Sequence, residues 1–134
     1  MRMETKNELA EMARQAELDF GIRVRDTRKT RGMSQQELAD AMTAAIGKPF
    51  HQTTIGRIEN GTRPTSVAEL VVLAALLDVM PTDLLADVER QVITVQVELR
   101  TREAQDAVRR LEEAQQRAAA LGGHGQLGGT ARPL

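Results

Sequence analysis

The stretch Met33-Ser34-Gln35-Gln36-Glu37-Leu38-Ala39, followed at residues 50–61 by Phe-His-Gln-Thr-Thr-Ile-Gly-Arg-Ile-Glu-Asn-Gly, decides the fold. Ser34 and Glu37 form a capping-box pattern, in which the hydroxyl takes the Glu37 amide and the carboxylate returns to the Ser34 amide. Met33 stands where a hydrophobic staple belongs. The helix opened here carries Leu38, Ala39, Met42 and Ile46 at helical spacing and stops at Gly47, and Pro49 cannot continue it. A short second helix begins at His51 or Gln52, buries Ile55 and Ile58, and ends at Asn60-Gly61.

Upstream, Leu9, Met12, Ala13, Ala16 and Phe20 recur at helical spacing and predict a polar helix over residues 3–19. The pattern runs on through Ile22, Val24 and Thr27 to a stop at Arg31-Gly32, where basic residues suit a helix C-terminus. Downstream, Ser66 and Glu69 form a second capping box, opening a helix whose residues 70–77 are all apolar. Such a helix is expected to be buried on most sides. Pro81 starts a short helix with Leu84 and Leu85. Residues 87–121 lack Gly and Pro and predict one long helix. Its apolar seam steps through Val88, Val92, Val95 and Leu99, then resumes in a shifted frame at Val108 and Leu111. The alternation Val95-x-Val97-x-Leu99 also fits a strand, a rival reading of that segment. The glycine-rich residues 122–134 predict a disordered tail.

The expected architecture is all-α, with a helical extension over residues 1–19, a five-helix domain over 20–86, a long helix over 87–121 and a tail. Composition agrees. Two Phe, no Tyr and no Trp leave a core of aliphatic side chains, which suits packed helices and not a base-stacking platform for single strands. The absence of Cys excludes disulfides, zinc-thiolate sites and thiol nucleophiles. His51 and His124 form no metal-binding spacing, Ser34 and Ser66 serve better as caps than as nucleophiles, and no glycine-rich phosphate cradle is present. Neither an enzyme nor a cofactor is expected. The apolar run at 70–77 is too short to cross a bilayer and residues 1–19 lack a signal-peptide pattern, so a cytoplasmic protein without a membrane partner is expected. Net charge is −1, yet residues 20–66 hold eight Lys/Arg against four acids, and residues 67–121 six Arg against ten. A locally basic segment of this kind fits a phosphate-contacting module.

The residues Phe20-Gly-Ile-Arg-Val-Arg-Asp-Thr-Arg-Lys-Thr-Arg-Gly-Met-Ser-Gln-Gln-Glu-Leu-Ala resemble the first two helices of the lambda-repressor-like, XRE-type helix-turn-helix family. The run at 50–64 resembles its recognition helix and following loop, and residues 67–85 its last two helices. Ser-Gln-x-x-Leu-Ala and Ile-x-x-Ile-Glu-Asn-Gly carry the likeness, which covers about half the chain. The turn between the second and third helices is longer than usual and is similar to that of POU-specific domains.

The resemblance implies sequence-specific binding of double-stranded DNA. Residues at the N-terminus of the third helix reach base edges in the major groove. Gln52 suits adenine, the Thr53 methyl suits thymine, and Arg57, one turn on, suits guanine or a phosphate. Gln35, Thr54, Asn60, Thr62 and Arg63 are the expected phosphate contacts, the loop after the third helix also offering backbone amides in the family manner. Arg28 and Glu59 match a structural ion pair of the family. One module makes few base contacts, so a homodimer on two half-sites is expected, joined through Val88, Val92, Val95, Leu99, Val108 and Leu111. Promoter occupancy would then repress transcription. The alternative is an antitoxin or other regulatory factor whose long helix and tail wrap a protein partner.

Overall fold

A computed structural model of the chain describes residues 3–130, with side chains as far as residue 122. Among the described residues there are six helices and no strand: α1 Met3–Thr30, α2 Gln35–Ile46, α3 Gln52–Glu59, α4 Val67–Leu76, α5 Pro81–Leu84 and α6 Ala86–Thr130. The segment Val92–Leu99 is helical, so the strand reading falls. Both capping boxes form: Ser34 Oγ accepts from Glu37 N at 3.0 Å and Ser66 Oγ from Glu69 N at 3.1 Å.

The chain forms two units, residues 1–94 and 95–134. In the first, Phe20 and Val24 of α1 meet Leu38, Ala39 and Met42 of α2, Ile55 and Ile58 of α3, and Leu73, Ala74, Leu77 and Leu84 from α4 and its C-terminal side. All are buried, and each fully buried Leu, Ile, Val or Met contributes about 1.5–3 kcal/mol relative to exposure. The helix α3 has only eight residues, too few to hold helical form in water alone. Its Ile55 and Ile58, buried one turn apart, are what secure it. The second unit is the distal part of α6, where Val108 and Leu111 are 54% and 59% exposed.

Four features depart from the sequence reading. No break separates an extension from the domain at residue 19, because α1 is one helix through Thr30. The first compact unit extends past residue 86 as far as Thr94. The first turns of α6 belong to the domain: Asp87 Oδ2 accepts from Arg23 Nη2 at 3.2 Å, Gln91 donates to Asp19, and Val88 lines an apolar cleft with Phe20, Leu70 and Leu85. Secondly, then, Val88 packs within its own chain. Thirdly, α4 is not buried on most sides: Val67 and Val71 are 77% and 53% exposed, because the small domain covers only the face holding Leu73 and Ala74. Finally, helix rather than a tail continues from residue 122 to Thr130, and residues 131–134 lie outside the described ones.

Two glycines set how closely α1 approaches α3. A Cβ on Gly21 would stand 2.6 Å from the carbonyl oxygen of Glu59 and closer still to that of Ile58. Gly61, at φ +73°, ends α3 in the left-handed region, and a Cβ there would stand 2.9 Å from Leu18 Cα. The Gly21 clashes are all with backbone, which has no side chain to yield; a Cβ on Gly61 would meet both the side chain and the backbone of Leu18. Gly21→Ala is therefore expected to lower stability by about 1–3 kcal/mol through overpacking. Urea unfolding checks this; a midpoint within error of wild type would mean that α1 does not press on the end of α3.

Candidate nucleic-acid interface

The end of α3 is tied to α1 by a buried ion pair. Arg28 Nε donates to Glu59 Oε2 at 2.7 Å and Arg28 Nη2 to Glu59 Oε1 at 3.0 Å, while Nη1 reaches the Met33 carbonyl at 2.8 Å. Their side chains are 9% and 3% exposed. The Glu59 hydrogen bond is the main reason the Arg28 pKa lies above its ordinary value. Glu59 Oε1 also accepts from Gln35 Nε2 at 3.0 Å, and Gln35 Oε1 accepts from Gln52 Nε2 at 3.4 Å. A chain of polar contacts thus runs from α1 through the end of α3 to the start of α2, and back to the first residue of α3.

The N-terminus of α3 is organised by Thr54, whose hydroxyl accepts from the His51 amide at 3.3 Å. Thr54, expected as a phosphate contact, is here a half-buried capping group. His51 holds the extended N-cap conformation with no cap bond from its side chain. Gln52, Thr53 and Arg57 all lie exposed on α3. Gly56, between them, meets nothing that excludes a Cβ; the nearest atom is Gln35 Nε2 at 3.8 Å. Packing within the domain thus gives no reason for a residue that costs a helix interior roughly 1 kcal/mol.

The loop after α3 differs from expectation. The amides of Asn60, Gly61, Thr62 and Arg63 donate to the carbonyls of Gly56, Ile58, Arg57 and Arg57, at 2.9, 3.1, 2.9 and 3.3 Å. They close the loop on itself, so no backbone amide among them is left for a phosphate. The side chains of Asn60 and Thr62 remain exposed. Arg63 is committed elsewhere: Nη1 and Nη2 donate to Glu69 Oε1 and Oε2 at 3.0 and 2.9 Å, and its guanidinium carbon lies 5.4 Å from the centroid of the Phe50 ring. Arg63 holds the Glu69 carboxyl below the ordinary glutamate range. The sequence implies a phosphate ligand at Arg63; in the structure both terminal nitrogens are engaged in a bidentate pair with Glu69. Sequence reading used Glu69 only as a cap and missed this contact, since nothing in the spacing shows Phe50, Arg63 and Glu69 converging.

Five of the eight cations in residues 20–66 are paired within the chain: Arg23 with Asp87, Arg25 with Asp26, Arg28 with Glu59, Arg31 with Asp78 and Arg63 with Glu69. Lys29, Lys48 and Arg57 have no carboxylate partner among the described residues. No metal-holding cluster and no helix long and apolar enough to cross a membrane occurs among the described residues.

Residues 19–88, just over half of the chain, match the family of helix-turn-helix domains. The chain belongs to that family and is a DNA-binding transcriptional regulator. No curated protein matches it. Among solved structures it is similar to the restriction-modification controller protein C.AhdI from Aeromonas hydrophila, with 30% identity over 53% of this chain and 94% of that chain and a TM-score of 0.47.

Removing one member of a buried pair strands the other charge without a partner. Glu59→Ala is expected to cost about 3–5 kcal/mol of stability in urea unfolding. A loss below 1 kcal/mol would show that the Arg28 contact is solvated and does not fix α3.

Proposed function

We propose that the protein is a dimeric repressor that reads duplex DNA with α3 in the major groove. The observation that carries this is the exposed face of α3, where Gln52, Thr53 and Arg57 stand together around Gly56 on a helix whose opposite face is locked in the core. Gln52 offers the amide pair that adenine accepts, and Arg57 the fork that fits guanine. The missing side chain at Gly56 leaves room for DNA close to the helix backbone. Gln35 supports Gln52 from α2 and, at the start of that helix, faces a phosphate. Asn60 and Thr62 at the far end of α3, with Lys48 before it, supply further backbone contacts. Selection from random duplex DNA at near-physiological salt tests the reading. The expected result is an enriched inverted repeat, with Gln52→Ala and Arg57→Ala each losing discrimination at one position, worth about 1–3 kcal/mol per base pair. Enrichment of no sequence would remove the assignment.

For dimerisation, the exposed Val108 and Leu111 of α6 favour a helix-to-helix seam between two copies; Val95 and Leu99 belong to the earlier frame and lie on nearly the opposite face of the helix. Val92 lies closer to the domain, and Val88 is excluded from the seam by its intramolecular packing. Leu111→Asp is expected to shift the protein from dimer to monomer in sedimentation equilibrium. An unchanged dimer would move the interface away from α6, with the exposed Val67 and Val71 of α4 next to be tested. Cytoplasmic placement and repression by excluding polymerase follow from this reading. The antitoxin alternative predicts that α6 captures a protein partner in place of a second copy.

A further inference from the structure

Each end of the short helix α3 lies next to a loop, and one side chain joins the two. Before α3 comes the lengthened turn, closed by Gly47 and anchored by Phe50, whose ring is 6% exposed and whose amide donates to Thr43 Oγ1 at 2.8 Å. After α3 comes the loop at residues 60–65. Arg63 lies in this second loop with its guanidinium over the Phe50 ring of the first, 5.4 Å from the centroid. Its two terminal nitrogens fork onto Glu69 in the first turn of α4, and Glu69 Oε1 also accepts from the Ser66 amide at 2.9 Å. The side chains of Arg63 and Glu69 are 32% and 15% exposed, so water only partly screens the contact.

We propose that Arg63 is a positioning residue for DNA reading: by bridging Phe50 and Glu69 it fixes both ends of α3 to α4, and so sets where Gln52 and Thr53 meet the bases. This rests on the assignment of α3 as the reading helix. The lengthened turn creates the need, since its added residues free the start of α3 from the short connection that would otherwise hold it. The chemistry is specific to arginine, whose flat guanidinium stacks on a ring and pairs bidentately with a carboxylate at the same time. A lysine keeps the charge but, as a point charge without a planar fork, cannot lie over the ring and pair bidentately with the carboxylate at once. Because both terminal nitrogens are engaged, the residue adds little to the phosphate count.

Arg63→Lys and Glu69→Gln separate this role from phosphate contact. For wild type and both variants, affinity is measured for the selected duplex and for an unrelated duplex, over a range of salt. Thermal melts by circular dichroism confirm that the variants are folded. A positioning role predicts that both variants lower the specific-to-unrelated affinity ratio by tenfold or more, while the slope of log affinity against log salt stays within about 0.3 of wild type. A phosphate role predicts a different pattern. Arg63→Lys would then keep ratio and slope, and Glu69→Gln would release Arg63 and steepen the slope by up to about 0.9. That pattern overturns the proposal while leaving α3 as the reading helix. A wild type that prefers no sequence overturns the reading assignment itself, and the positioning role with it.

Discussion

The Arg28–Glu59 pair is the constraint on which the rest of the domain depends. A buried ion pair adds little net stability over an apolar pair of equal volume, yet losing one partner is costly because the other charge is left dry. That asymmetry makes the pair a device for registration. Glu59 is the last residue of α3 and Arg28 lies late in α1, so the pair ties the end of α3 to the long first helix. Gly21 and Gly61 let the two backbones come close enough for the pair to form, and Gln35 uses the remaining capacity of Glu59 Oε1 to extend the constraint to α2.

The surface that results is less basic than the local charge count implies. Most cations of residues 20–66 serve the fold, each spent on a carboxylate of another element or of a neighbouring residue. Lys29, Lys48 and Arg57 are the cations of this segment with no carboxylate partner among the described residues, and exposed pairs such as Arg31 with Asp78 hold their cations only weakly.

Much of this was legible in the sequence because it rests on local rules. Ser34 with Glu37 and Ser66 with Glu69 predict helix starts that form as capping boxes, and the spacing of Leu38, Met42, Ile55 and Ile58 predicts the buried faces. Long-range placement was not legible. The apolar run of α4 does not reveal that one side finds no cover, and the apolar seam of α6 does not reveal that Val88 turns inward onto α1 and α4. The loop at 60–63 reads as a phosphate clamp from its residues alone. In the folded chain its amides close on Arg57, Gly56 and Ile58, and its arginine crosses to Phe50. Hydrophobic periodicity reports which residues leave water; it does not report which polar partner a loop side chain finds.

The central claim is that α3, held by Glu59, lies in the major groove. Dimethyl sulfate protection on the selected duplex tests it most directly, because the reagent methylates guanine N7 in the major groove and adenine N3 in the minor groove. The account predicts protected guanine N7 positions in two segments about one helical turn apart, roughly 34 Å, with one protection lost in Arg57→Ala. Protection confined to adenine N3, or a stable complex with every guanine N7 still reactive, would contradict it.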